Sequence, residues 1–100
     1  MRRPLAAALL AASLALSLAA VAAEGTYEEN VERPGGDYST LTLEAGSPAR
    51  FCRDACQSDA RCRAWTYVRA ANAAESPRCM LKSQVPEKKA NPCCVSGFER

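Results

Sequence analysis

Six cysteines are the residues of this chain whose type and spacing could support chemistry, and all of them lie between positions 52 and 94. A zinc site would use Cys-x2-Cys pairs or histidines, and a redox dithiol would use Cys-x2-Cys. The chain contains no histidine and no Cys-x2-Cys pair. Structural disulfide bonds are therefore predicted, with no metal and no cofactor. The six residues are Cys52, Cys56, Cys62, Cys79, Cys93 and Cys94.

The other polar residues do not form a catalytic set. Asp37, Asp54 and Asp59 have no partner that the sequence identifies, and a serine or cysteine nucleophile would need a histidine base. Asp37 follows two glycines, where an aspartate more often completes a turn than acts as an acid. We therefore predict that the protein is not an enzyme.

Residues 1–23 have the three-part pattern of a secretory signal peptide. Two arginines precede an Ala- and Leu-rich run from Leu5 to Val21, and small residues fill positions 19–23. The run is too rich in alanine to make a strongly apolar membrane span. We predict cleavage after Ala23, a secreted or periplasmic protein, and no membrane contact after cleavage.

The remaining chain is short enough for one domain, and a domain of that size buries only about 60% of its unfolded surface. Disulfides stabilise such small domains in oxidising compartments. The full chain has 13 Lys and Arg against 11 Asp and Glu, and two of the arginines belong to the signal. The mature chain is therefore neutral, which predicts no general attraction to nucleic acid or to an anionic membrane.

The hydrophobic pattern predicts a flexible leader at 24–32 and one domain at 33–100. Arg-Pro-Gly-Gly-Asp at 33–37 is a turn sequence. Ser47 can cap a helix that begins with Pro48 and runs to about Gln57. Alternating patterns predict four strands, which are 38–43, 62–69, 78–82 and 93–98.

The helix and the second strand each present two distinct faces. Cys52 and Cys56 share one helical face, which we expect to point at the sheet. On the second strand we expect the smaller side chains to point at the helix, namely Cys62, Ala64, Thr66 and Val68. The alternate residues are two aromatics flanked by two arginines. Together with two basic residues of the third strand they form the candidate binding surface, which is Arg63, Trp65, Tyr67, Arg69, Arg78 and Lys82.

Aromatic rings and arginine forks are common anchors of binding surfaces. A second interpretation of the same strand is structural. Trp65 and Tyr67 would then form the core on the other face of the sheet, covered by the strand that contains Tyr38.

Five motifs in this order resemble the PAN/Apple superfamily, and in particular its short bacterial modules. They are Arg-Pro-Gly-Gly-Asp-Tyr, the helical Cys-x3-Cys, Cys-Arg-Ala-Trp-Thr-Tyr, Cys-Met-Leu-Lys and Cys-Cys-Val-Ser-Gly, and they cover Asn30 to Phe98. The resemblance implies an α+β fold, in which a small antiparallel sheet is crossed by one helix. It also implies the disulfides Cys56–Cys62 and Cys52–Cys79.

The chain departs from the superfamily pattern in two ways. Met80 stands where an aromatic residue often follows the cysteine of the third strand, and no cysteine precedes Cys52 to join the termini. Cys93 and Cys94 therefore inherit no pairing. They could bond to each other, one could bond to another chain, or they could displace a pairing implied above.

The resemblance implies a secreted, non-catalytic binding module that recognises an extracytoplasmic protein or carbohydrate. An alternative function is a structural or assembly protein of the envelope, linked between chains through Cys93 and Cys94. A redox role for this vicinal pair is a third hypothesis.

Overall fold

The computed structural model describes residues 25–99, which form an antiparallel five-stranded sheet with one helix packed on it. The predicted signal peptide lies outside the described residues. The elements in chain order are β1 Glu28–Glu32, β2 Asp37–Thr42, α1 Ala49–Gln57, β3 Ala64–Val68, β4 Arg78–Lys82 and β5 Lys89–Phe98.

The helix and the four predicted strands are present, most within one or two residues of the predicted bounds. Two predictions about the rest are wrong. Glu28–Glu32 is an edge strand paired with β5 rather than part of a flexible leader, and β5 begins at Lys89, inside a segment predicted to be irregular. Both segments are polar, and they form strands because each supplies the other with backbone hydrogen-bond partners.

The helix begins without the predicted serine cap. Pro48 occupies the cap position and makes no side-chain hydrogen bond, while the Ser47 hydroxyl donates to the Glu44 carbonyl. Proline is compatible with this position because the cap backbone is extended, with φ −80° and ψ 165°, and its missing N–H takes no part in the helical hydrogen bonds.

The strand order is β1-β5-β3-β4-β2, so the first two strands occupy opposite edges of the sheet. Residues 33–36, the crossover segment, therefore run across one face of the sheet between those edges. Gly35 and Gly36 have φ values of 97° and 75° there, which glycine adopts without steric cost. The predicted turn sequence is thus the covering layer of one sheet face.

The helix covers the opposite face, called here the helix face, and the register shows which side chains point towards it. Residues directly opposite in an antiparallel pair share a face. Trp65 pairs with Leu81, and Tyr67 pairs with Cys79, which is bonded to Cys52 of the helix. The aromatic side of β3 therefore faces the helix, and the predicted orientation of this strand is wrong.

The small side chains of β3 lie under the crossover segment, on the sheet face away from the helix, called here the far face. Ala64 is fully buried and Thr66 is 4% exposed, and the Arg33 backbone N–H donates to the Thr66 hydroxyl at 3.4 Å. A backbone segment comes closer to a sheet than a helix does. This explains why the smallest side chains meet the crossover segment and the aromatic ones meet the helix.

The two disulfides implied by the resemblance are present. Cys52–Cys79 and Cys56–Cys62 join α1 to β4 and to the chain just before β3, with Cα–Cα distances of 5.4 and 5.2 Å. Cys93 and Cys94 bond to each other, which is one of the three alternatives left open by the sequence. No cysteine is left free.

Candidate functional site

The six residues of the predicted binding surface do not lie on one surface. Trp65 has no exposed area, and its ring lies against the Tyr27 ring, with centroids 5.8 Å apart. Trp65 is therefore a core residue, but it lies on the helix face and not on the other face of the sheet. The strand that contains Tyr38 was expected to cover the Trp65 ring. Instead, α1 and Tyr27 enclose the ring together with the backbone of Gly97.

Arg69 is used by the protein's own backbone. Opposite Asn30, the partner of β1 jumps from Val95 to Ala90, so residues 91–94 form a bulge in β5. The Arg69 guanidinium donates to the carbonyls of Pro92 at 2.6 Å and Cys94 at 3.2 Å, and to Glu29 at 3.0 Å. Its donors therefore stabilise the bulge, although part of the side chain remains exposed.

Lys82 is also structural. Its side chain is 2% exposed, and Nζ donates to the Gly35 carbonyl at 3.1 Å and to the Asp37 carboxylate. Arg33 holds the other end of the crossover segment, where its guanidinium makes two hydrogen bonds to the Glu28 carboxylate at 3.0 and 2.8 Å. A buried cation is costly without a partner, and each of these has one.

The other two arginines of the predicted surface are exposed but lie apart. Arg63 comes just before β3, beside the end of the helix, whereas Arg78 opens β4 and pairs with Val68 at the other end of β3. Neither side chain makes a hydrogen bond or ion pair within residues 25–99. Arg78 lies on the far face, so these two cations cannot contact one small ligand together.

Arg63 lines a groove of about 430 Å³ beside the end of the helix, and two other open grooves, one on each face, contain further residues of the predicted surface. The helix-side groove, of about 540 Å³, lies between β1, the start of α1 and the loop that follows β3. Its lining includes Tyr27, Pro48, Tyr67, Asn72 and Glu75. The far-face groove, of about 380 Å³, lies beside the crossover segment and includes Arg78 and Lys82.

Two tyrosines give the helix-side groove its chemical character. Tyr27 is 44% exposed, and the Tyr67 hydroxyl donates to the Ser47 carbonyl at 2.6 Å. Burial raises the pKa of Tyr67 above its usual value, so the hydroxyl stays protonated at neutral pH. Glu75 adds a carboxylate with no ion pair in the described part of the chain. The groove thus offers aromatic faces and hydrogen-bonding groups, and two residues of the predicted surface, Tyr67 and Arg69, line it.

The structure provides no group of residues suited to metal binding between positions 25 and 99. Within the same range, no helix has both the length and the apolar character needed to cross a membrane.

The model of the PAN domain family matches residues 31–82, just over half of the chain. The chain belongs to the PAN domain family. The matched residues run from the end of β1 to the end of β4 and contain both disulfides that attach the helix. No curated protein and no solved structure matches the chain.

The match confirms the resemblance to the PAN/Apple superfamily and the α+β fold that it implies. PAN domains are in general non-catalytic modules that bind proteins or carbohydrates. A disulfide-rich PAN domain is typical of extracellular proteins. The matched residues end before the bulge, so the Cys93–Cys94 disulfide lies outside the part of this PAN domain that the family model describes.

Proposed function

We propose that this PAN domain is a secreted or periplasmic, non-catalytic module that binds an extracytoplasmic protein or carbohydrate through the helix-side groove. The observation that carries the proposal is the pair of tyrosines in an open groove, beside polar groups from three separate segments. Aromatic side chains at such sites supply contact area with little loss of conformational entropy, and nearby polar groups set the orientation of the partner.

The composition of the groove supports recognition rather than catalysis. Its carboxylates are Glu29, which pairs with Arg69, and Glu75, which lies on the loop after β3. A general acid and base would need a positioned pair of titratable groups near a reacting atom. These two residues offer hydrogen-bond acceptors for a partner and no such pair.

The disulfides support an extracytoplasmic location, because such bonds persist in oxidising compartments. This agrees with the proposed cleavage of a signal peptide after Ala23. The envelope-assembly alternative gains no support, since Cys93 and Cys94 bond to each other and leave no thiol for a second chain.

The proposal is tested by binding the mature protein to a glycan array and to a tiled peptide array of exported proteins from the source organism. Tyr27→Ala should weaken binding at least tenfold, because it removes the exposed ring of the groove. Phe51→Ala is the matched control: Phe51 is similarly exposed, at 47% against 44% for Tyr27, but lies on α1 outside the groove. No binding on either array, or equal losses in the two variants, would contradict the proposal.

A further inference from the structure

Four side chains form a row across the far face, and the vicinal disulfide lies at one end of it. Thr42 pairs with Arg78, Arg78 with Val68, and Val68 with Cys94, so all four point to the same side of neighbouring strands. Adjacent strands are about 4.8 Å apart, which places the Arg78 and Cys94 backbones about 10 Å from each other, with Val68 between them. This spacing accommodates one sugar ring.

Among the cations that line this groove, Arg78 is the one whose side chain has no partner in residues 25–99. Arg33 is bonded to Glu28 and Lys82 to Asp37, whereas the Arg78 side chain makes no ion pair or hydrogen bond within the described residues. Arginine binds carboxylates through two parallel hydrogen bonds, which fix the orientation of the bound group. The far-face groove therefore has one site where an external carboxylate can be bound without breaking an internal contact.

The wall of the groove opposite Arg78 is the Cys93–Cys94 disulfide. Met80, on the same strand as Arg78, also lines the groove. Sulfur is polarisable and packs well against C–H groups. Cys94 is 2% exposed, and Arg69 and Asn91 hold the bulge through the Cys94 carbonyl and the Cys93 N–H. A wall held in this way loses little conformational entropy when a ligand binds.

We propose that the far-face groove binds a carboxylate-bearing sugar, such as a uronic acid unit of an acidic polysaccharide. The carboxylate contacts Arg78, and the C–H face of the ring packs on Val68 and on Cys93, the half-buried cysteine of the disulfide. Sugar hydroxyls donate to the carboxylates at the rim, Glu32 and Asp37. Each of these carboxylates already accepts one internal hydrogen bond, Glu32 from Asn91 and Asp37 from Lys82, and its second oxygen has no donor among residues 25–99. An apolar peptide side chain would leave those second oxygens unused, so the lining favours the sugar.

This site lies on the opposite face of the sheet from the helix-side groove and does not depend on the proposed function. It is tested by titrating the mature protein with trigalacturonic acid and, separately, with neutral galactotriose, using calorimetry and amide chemical shifts. We expect the acidic sugar to bind, with shifts at Val68, Arg78 and Cys94, and the neutral sugar to bind at least tenfold more weakly.

Arg78→Gln should weaken binding of the acidic sugar at least tenfold. Arg63→Gln is the matched control, because Arg63 is also exposed and unpaired among the described residues but lies outside the groove. A second variant, Cys93→Ala with Cys94→Ala, should also weaken binding while the disulfides of the helix stay intact.

Three results would overturn the proposal: no binding of the acidic sugar, equal binding by Arg78→Gln and Arg63→Gln, or shifts confined to the helix-side groove. Tyr27→Ala serves to separate the two sites, since it should leave binding of trigalacturonic acid unchanged.

Discussion

Removing the Cys52–Cys79 disulfide should destabilise the protein more than removing either of the other two bonds. The perturbation is replacement of both cysteines of one bond by alanine, carried out in turn for Cys52–Cys79, Cys56–Cys62 and Cys93–Cys94. The three bonds close loops with sequence separations of 27, 6 and 1 residues. A bond that closes a longer loop removes more conformational freedom from the unfolded chain.

The loop lengths set the expected magnitudes. The chain-entropy relation predicts losses of about 3.6, about 2.2 and about 0.6 kcal/mol for the three bonds in that order. The two bonds of the helix can be compared directly because all four of their cysteines are at most 5% exposed, so truncation to alanine opens similar buried space in both. A domain of this size typically has only about 5 to 10 kcal/mol of stability, so losing Cys52–Cys79 removes a large share of it.

The assay is urea unfolding without reductant, followed by the fluorescence of Trp65, the only tryptophan of the chain. This residue is fully buried under α1, so its emission reports separation of the helix from the sheet. The reasoning is refuted if the variant lacking Cys56–Cys62 is as unstable as the one lacking Cys52–Cys79. If removing Cys93–Cys94 lowers the free energy of unfolding by 2 kcal/mol or more, the bulge and not loop entropy determines how much that bond stabilises the domain.

Two further predictions concern packing and pH. Gly97→Ala should destabilise the domain by about 1 to 3 kcal/mol, because a Cβ there would lie 2.7 Å from the Trp65 ring and also against the Thr26 carbonyl. A change below about 0.5 kcal/mol in the free energy of urea unfolding would contradict this packing. Hydrogen bonds from Arg61 lower the pKa of Asp59 from 3.8 to about 2. The stabilisation from this lowered pKa is complete above about pH 4 and is lost as the pH falls towards 2. Asp59→Asn should therefore flatten the acid limb of the stability curve between pH 4 and 2, and coincident curves for the two proteins would exclude this role.

Local features of the fold were predictable because they depend on residues close in sequence. The i, i+4 spacing of Cys52 and Cys56 placed both on the sheet-facing side of one helix, and alternation located β3 and β4 to within two residues. The pairings of these cysteines came from the order of five motifs and not from their spacing. Length, cysteine content and the absence of histidine were sufficient to predict a small disulfide-stabilised domain.

Strand orientation was not predictable in the same way, because alternation shows that a strand has two faces and not which neighbour each face meets. Trp65 faces the helix since Leu81 and Gly97 flank it in the sheet, and this register depends on strands more than 15 residues away. The edge strand β1 was missed for a related reason, since its polar sequence is paired only once β5 lies beside it.

The functional assignment of the arginines shows the same division. The sequence by itself determined that basic residues concentrate near the cysteines, because composition and spacing are properties of the chain. Only the tertiary structure decided that Arg69 stabilises a bulge, that Lys82 holds the crossover segment and that Arg78 has no partner among the described residues. The physical reason is that the role of a charged side chain depends on which groups the fold places within hydrogen-bond distance of it, and those partners are 23 to 47 residues away in sequence.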